Sequence, residues 1–174
     1  KPMAGGSAPR PSRPHPPAAN LARDFSGYWV MDKRFWICGF TVFATALALG
    51  FIVHGLLLRA DYLALAHLFR SQADANAQVG WILLAYASLG LGMTWLYRWL
   101  PPPARSKRWQ GARFGLAIAL VSFVPWHLLA HAGQPFPLAL TIKQIGFDLV
   151  ATLLLGMLLA WLQPHRRVLA PAPT

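Results

Sequence analysis

The residues of this chain that can bind ligands or protons are three histidines and one aspartate inside long apolar stretches. His127 and His131 are four residues apart, so they share one helix face, and His54 lies near the end of an earlier stretch. Asp148 lies in the last stretch, too deep for a short side chain to reach water. Imidazole and carboxylate groups at such positions can bind a metal, ligate a haem or another pigment, bind a quinone headgroup or relay a proton.

A plainer role is open to the same residues, because buried polar pairs often only join helices. Histidines near the membrane surface can contact interfacial water, and Asp148 can pair with His127 or Lys143. The i, i+4 histidine pair alone does not define a metal site, since no third ligand follows at a fixed spacing. We therefore expect no metal site and no catalytic residue. The candidate cofactor-binding residues are His54, His127 and His131, and the candidate intramembrane polar cluster is Lys143, Gln144 and Asp148.

The identity of a cofactor does not follow from these residues. Lipid, quinone and tetrapyrrole are the classes that histidines in the outer leaflet would hold.

Four apolar stretches must position these side chains. A helix needs about 20 apolar residues to cross the hydrocarbon core of a bilayer. Of the 174 residues, 56% are hydrophobic and only 12% are charged, which is too few charges for a soluble domain. We predict an all-α membrane protein with four transmembrane helices. The predicted spans are Phe35–Leu58, Gln78–Trp99, Phe114–His131 and Leu138–Leu162.

Positive charges collect on one side of the predicted spans. Thirteen of the 16 Lys and Arg residues lie before the first span, between the second and third, or after the fourth. The other side holds Arg59, Arg70 and Lys143. The positive-inside bias therefore predicts that both termini and the middle loop are cytoplasmic. Arg outnumbers Lys twelve to four, which is typical of GC-rich bacterial genomes, so we predict the bacterial inner membrane.

Two further patterns agree with a membrane bundle. Aromatic residues fall at both predicted membrane boundaries, where bilayer interfaces favour them. Two pairs of small residues at i, i+4, Ala44 with Ala48 and Gly156 with Ala160, predict close approach between helices. The tryptophans predicted at the cytoplasmic boundary are Trp36, Trp95, Trp99, Trp109 and Trp161.

The segments that flank the first span have different compositions. Residues 1–34 form a Pro-rich cytoplasmic tail that has almost nothing to bury. Residues 35–162 form the bundle, and residues 163–174 form a cytoplasmic C-terminal tail. After the first span, apolar and polar residues separate onto opposite faces, which predicts an amphipathic helix over Arg59–Asp74 at the outer interface. Its apolar face consists of Leu58, Tyr62, Leu65 and Phe69.

Several enzyme classes are excluded because their motifs are missing from the chain. It contains no Gly-rich phosphate loop, no GxSxG nucleophile turn and no CxxCH haem attachment motif. Because the chain contains no Glu, it cannot form the HExxH zinc motif. Cys38 is the single cysteine, which excludes an internal disulfide.

The stretch from Phe114 to Ala160 carries a Gln134–Pro135 hairpin and a polar run from Lys143 to Asp148. In these features the chain resembles small bacterial four-helix integral membrane proteins of unknown function. The resemblance covers the spans only. It implies the four-helix architecture and no activity.

The organisation favours a non-catalytic accessory subunit of a larger membrane complex of the photosynthetic or respiratory type. Four helices with short loops leave no sizeable soluble domain for chemistry. We expect the Pro-rich tail to lie along a partner's cytoplasmic face. The expected partners are other membrane subunits and anionic lipid headgroups, and not nucleic acid, because the net charge of +11 flanks membrane spans. Two alternatives stay open: a haem-, pigment- or quinone-binding protein that uses the histidines, and a small transporter that uses Asp148.

Overall fold

The computed structural model describes residues 32–101 and 106–163, and these residues form helices and turns with no strand. Four helices are long and apolar enough to cross a membrane. This confirms the predicted all-α membrane fold and a multi-pass protein. The predicted tails, apart from residues 32–34 and 163, lie outside the described residues. The spans are numbered in chain order: span 1 is Lys33–Leu57, span 2 is Val79–Arg98, span 3 is Lys107–Gly133 and span 4 is Leu138–Leu162.

Spans 1 and 3 are not uniform α-helices. Span 1 is α-helical over Lys33–Gly50 and π-helical over Phe51–Leu57. Span 3 is α-helical over Lys107–Ile118, π-helical over Ala119–Phe123 and α-helical again over Val124–Gly133. Spans 2 and 4 are α-helical throughout.

Capping side chains fix where two of the spans begin. The Asp32 carboxylate accepts a hydrogen bond from the backbone N–H of Phe35 at 3.0 Å, and span 1 therefore begins at Lys33. The Ser106 hydroxyl accepts from the backbone N–H of Trp109 at 3.3 Å, so span 3 begins at Lys107. Span 3 thus starts well before the predicted Phe114, and its first turns carry basic residues.

The amphipathic segment after span 1 is shorter and more broken than predicted. A helix over Arg59–Ala64, here called the loop helix, is followed by a 3-10 turn over Ala66–Leu68. A separate helix, Gln72–Ala77, then begins because the Ser71 hydroxyl caps the N–H of Asp74. The predicted division of faces is nevertheless confirmed. Tyr62 and Leu65 pack against a buried cluster of Val53, Leu58 and Leu140, and the polar face, His67, Arg70, Ser71 and Asp74, is exposed.

Spans 3 and 4 pack with their backbones in close contact. A Cβ added to Gly111 would lie 2.8 Å from the Cβ of Ala160, and one added to Gly156 would overlap the carbonyl oxygen of Gly111. Only glycine permits this approach, which is typical of helix pairs in membranes. The predicted small pair of Gly156 and Ala160 lies at this interface.

Spans 1 and 2 form a second close pair through different glycines. A Cβ on Gly90 would lie 2.8 Å from the carbonyl oxygen of Gly39. Ala44 and Ala48 make no such contact among the described residues, because both are exposed on the outer surface of the bundle. The glycine contact rotates span 1 so that these alanines face away from span 2.

Contacts between the spans define two ends of the bundle. Arg98 of span 2 lies 3.4 Å from Asp32, and Tyr97 donates a hydrogen bond to Gln110 of span 3 at 3.4 Å. We call this the basic end. The opposite end, with His54 and His127, is called the histidine end. Between them lies an apolar core made of Val42, Ala46, Met93, Tyr97, Phe114, Leu155, Leu159 and Ala160.

Candidate functional site

Asp148 is the centre of a polar cluster buried between three spans. It lies ten residues after the start of span 4 at Leu138, which corresponds to ~15 Å of helix and places it near the middle of a bilayer. Its exposed fraction is only 8%, and that of His127 is 7%. A buried polar group at this depth requires hydrogen-bond partners.

Histidines from two other spans contact the two carboxylate oxygens of Asp148. The Nε2 atom of His127 in span 3 lies 2.6 Å from Oδ2, and Nε2 of His54 in span 1 lies 3.6 Å from Oδ1. The hydroxyl of Thr152 donates to the backbone carbonyl of Asp148 at 2.8 Å. The carboxylate therefore bridges spans 1, 3 and 4.

The chain of contacts continues from His54 into the loop helix. The Tyr62 hydroxyl lies 2.7 Å from Nδ1 of His54, and the side-chain amide of Gln144 donates to the same hydroxyl at 3.0 Å. Gln144 lies one turn before Asp148 on span 4. The loop helix is thus tied to spans 1 and 4 through one tyrosine.

Donor and acceptor roles along this chain follow from the number of protons each group carries. The Gln144 amide donates to Tyr62, so the single hydroxyl proton of Tyr62 is free to be donated to Nδ1 of His54. A neutral His54 then carries its proton on Nε2, facing Asp148, and His127 also donates from Nε2. His127 donates to Oδ2 of the carboxylate, and Nε2 of His54 faces Oδ1 at the longer distance of 3.6 Å.

Non-standard helical turns bring both histidines to the carboxylate. His54 lies inside the π-helical segment of span 1, and His127 follows the π-helical segment of span 3. Pro125 has no backbone N–H to donate to the carbonyl of Val121, so the regular helical hydrogen bonding is broken there. The break takes the form of the π-helical turn. Such turns shift the register of the side chains that follow and are frequent at functional sites.

Lys143 is not a partner of Asp148, contrary to one of the two predicted pairings. Its ammonium lies 2.8 Å from Oδ1 and 2.9 Å from Oδ2 of Asp61 in the loop helix. The Lys143 side chain keeps half of its surface exposed, so this pair lies at the periphery of the histidine end. The position of Lys143, more than one helical turn before Asp148, allows it to reach the interface.

His131 also lies apart from Asp148. Its Nδ1 donates to the backbone carbonyl of Phe136 at 2.8 Å, which closes the hairpin between spans 3 and 4. Of the three candidate cofactor-binding histidines, the structure therefore brings His54 and His127 together and uses the third in a turn.

Sequence reasoning missed the parts played by Tyr62 and Asp61. The spacing of Tyr62 placed it on the apolar face of the predicted helix. A half-buried tyrosine hydroxyl usually finds a hydrogen-bond partner, and this preference could have predicted a polar contact for Tyr62. Burial raises the pKa of Tyr62 above its ordinary value of about 10, so the phenol stays protonated and remains a donor. Asp61 carried no distinctive pattern.

The geometry of the cluster suits a junction between helices better than a metal centre. Among the described residues, no group of three His, Cys, Asp or Glu side chains is arranged to hold a metal ion. Both Nε2 atoms are directed at Asp148, and Nδ1 of His54 is directed at Tyr62. From Asp148 towards the basic end, the buried side chains of span 4 include Thr152, whose hydroxyl donates to the backbone, and then the apolar Leu155 and Leu159.

The outward face of span 2 is the second notable feature. Every residue from Val79 to Ala85 is exposed, so no described part of the chain covers the first turns of this helix. Small residues occupy the middle of the face, and a Cβ added to Gly92 would meet no atom within 4 Å. Residues at these spacings lie along one side of an α-helix. The face consists of Trp81, Ala85, Ser88, Gly92 and Trp95, and we call it the span 2 face.

Comparison with known proteins gives no relative. No protein family matches the chain. No curated protein and no solved structure matches it either. The resemblance to small bacterial four-helix membrane proteins therefore stays a prediction.

Proposed function

We propose that this protein is a non-catalytic subunit of a larger membrane complex, and that the span 2 face binds a transmembrane helix of another subunit. The observation that carries the proposal is the small-residue strip of Ala85, Ser88 and Gly92 in the middle of an otherwise uncovered helix face. A host complex of the photosynthetic or respiratory type is consistent with a chain whose described residues are almost entirely membrane helices.

Small residues are poor partners for lipid and good partners for another helix. Lipid tails fill the space beside a leucine as well as beside a glycine, so lipid gives no reason for Gly92. A glycine inside a helix costs about 1 kcal/mol relative to alanine, and this cost is offset where a second backbone approaches closely. The glycines of this chain that do pack, such as Gly90 and Gly111, lie against a neighbouring helix in this way.

The buried cluster supports the same proposal, because its polar groups contact one another within the chain and serve to join helices. Asp148 hydrogen-bonds with His127 and lies 3.6 Å from His54, so the cluster joins spans 1, 3 and 4. Such a junction stabilises the bundle that carries the span 2 face. The transporter alternative has less support from the described residues, because most buried side chains between Asp148 and the basic end are apolar, with Thr94 and Thr152 as polar exceptions.

One observation favours a second candidate, the binding of a quinone headgroup. The side chain of His54 keeps 33% of its surface exposed, and its contact with Asp148 is long at 3.6 Å. A quinone carbonyl that approaches from the lipid would be able to accept a hydrogen bond from Nε2 of His54 in place of Asp148. The ultraviolet spectrum of organic extracts of the purified protein tests this candidate, and a stoichiometric quinone that His54→Leu abolishes would favour it.

The proposed setting is the bacterial inner membrane, with the basic end and both termini in the cytoplasm. The charge distribution supports this orientation, because 13 of the 16 Lys and Arg residues belong to segments on that side.

The test is whether a bulky residue on the span 2 face releases the protein from its complex. Gly92→Leu should shift the protein from a high-mass band to the mass of the single subunit on native gels of digitonin-solubilised membranes. Gly146→Leu is the matched control, because Gly146 lies on span 4 and, like Gly92, has open space around an added Cβ. If both variants stay in the same high-mass band as the native chain, the span 2 face does not bind the complex.

A further inference from the structure

A groove at the basic end lies between the start of span 3 and the end of span 4, away from the span 2 face. Its volume is about 540 Å³. Span 4 supplies an apolar wall, and the first turn of span 3 supplies two cations. The lining residues are Lys107, Arg108, Met157, Leu158, Ala160 and Trp161.

The groove crosses the boundary between water and hydrocarbon. Trp109 and Trp161 are 54% and 77% exposed at this end, where tryptophan marks the headgroup level of a bilayer. Met157 lies four residues deeper than Trp161, which is ~6 Å along the helix. The cations therefore lie at headgroup depth, and the apolar wall continues into the acyl-chain region.

The positive charge of the groove is not neutralised by any acid that the structure describes. No ion pair among the described residues includes Lys107 or Arg108. Each described aspartate is engaged elsewhere: Asp32 with Arg98, Asp61 with Lys143, Asp74 with Ser71, and Asp148 with the two histidines.

The backbone adds to this positive potential. Span 3 begins at Lys107, so the first N–H groups of its helix have no partner within the helix. The Ser106 hydroxyl accepts from the N–H of Trp109. The N–H groups of Lys107 and Arg108 have no acceptor within the helix, because they belong to its first turn. The helix dipole favours an anion at the same place.

We propose that this groove binds one anionic phospholipid. Its phosphate contacts Lys107 and Arg108, and one of its acyl chains lies along Met157 and Leu158. A zwitterionic phospholipid such as phosphatidylcholine binds less well, because its ammonium group would lie beside two other cations. The site is independent of the proposed function, since it is built from spans 3 and 4 alone.

The test measures lipid retained by the full-length protein. The protein is reconstituted in nanodiscs of phosphatidylcholine with phosphatidylglycerol, transferred to mild detergent, and examined by native mass spectrometry. We expect one phosphatidylglycerol to remain bound, in preference to phosphatidylcholine. Each basic residue beside an anionic lipid strengthens binding by roughly fivefold, so Lys107→Gln with Arg108→Gln should lower retention by roughly 25-fold.

Two further variants separate this site from general charge effects and from misfolding. Arg59→Gln with Arg70→Gln removes the same charge at the histidine end, and retention should stay at the native level. Met157→Trp fills the groove but keeps both cations, and it should also lower retention. Equal retention by the native chain and the Lys107/Arg108 variant would overturn the proposal, as would equal retention of the two lipids. Displacement by glycerol phosphate alone would also overturn it, since that outcome indicates a headgroup site without a bound chain.

Discussion

Replacing Asp148 by alanine should destabilise the bundle through the loss of its contact with His127. The two side chains are 2.6 Å apart and almost fully buried. Hydrogen bonds between membrane helices contribute about 0.6 kcal/mol on average and up to about 1.7 kcal/mol. A short, buried hydrogen bond to a carboxylate should be among the strongest of these. We therefore expect a coupling energy of about 1.5 kcal/mol between Asp148 and His127.

The single substitution should cost more than the coupling energy. Asp148→Ala leaves the Nε2 proton donor of His127 without its acceptor, and an unsatisfied buried donor costs about 1–3 kcal/mol. His54 is partly exposed and can turn towards the interface, so most of the cost comes from His127. We expect a loss of about 2–3 kcal/mol in the free energy of unfolding.

A double-mutant cycle measures this coupling directly. The free energy of unfolding of the native chain, Asp148→Ala, His127→Ala and the double variant is measured by sodium dodecyl sulfate titration in mixed micelles, with circular dichroism as the signal. The same cycle on Asp61 and Lys143 is the control. That pair is partly exposed, at 50% for Lys143 and 30% for Asp61, so its coupling should be below about 1 kcal/mol. A coupling for Asp148 and His127 no larger than that of the control pair would refute the assigned junction.

Three other predictions test separate parts of the structure. Gly156→Leu should abolish the close contact of spans 3 and 4 and destabilise the bundle by more than about 2 kcal/mol, whereas Gly146→Leu should change the free energy of unfolding by less than about 0.5 kcal/mol. Burial raises the pKa of Tyr62, so the stability that this phenol contributes is complete below pH 10 and is lost as pH rises through the raised pKa. Tyr62→Phe should therefore show a smaller loss of stability between pH 10 and pH 12 than the native chain, and an equal loss would contradict the burial of that hydroxyl. In a Cys38→Ala background, Ser106→Cys should be protected from an impermeant thiol reagent in intact cells, and labelling there would reverse the orientation.

The four spans could be predicted because hydropathy is a local property of the chain. Their bounds were less predictable. The rule that a span is uncharged placed the start of span 3 at Phe114, but Ser106 caps the helix at Lys107 and the helix continues through the interface. The amphipathic helix was predicted by its periodicity, but its length was wrong, because the helix ends at Ala64 in a 3-10 turn and Ser71 then caps a separate helix.

The candidate site was predictable only where depth in the membrane decides the outcome. Asp148 is too deep to reach water, which made a partner necessary, and His127 lies at a matching position on span 3. The pairing of Lys143 with Asp61 depends on the loop helix folding back over spans 1 and 4, which no local pattern encodes. The direction in which Ala44 and Ala48 face depends on the rotation of span 1, and that rotation is set by its contact with Gly90 of span 2.

Photocrosslinking from Ser88 in native membranes tests the central claim most directly. A benzoylphenylalanine at this position faces outward from the middle of the span 2 face, and the same residue at Val121, which is 77% exposed on span 3, serves as the control. The proposed subunit role predicts one discrete crosslinked protein product from Ser88 whose mass differs from two copies of this chain, and none from Val121. Lipid adducts alone at both positions, or a product with the mass of two copies of this chain, would contradict it.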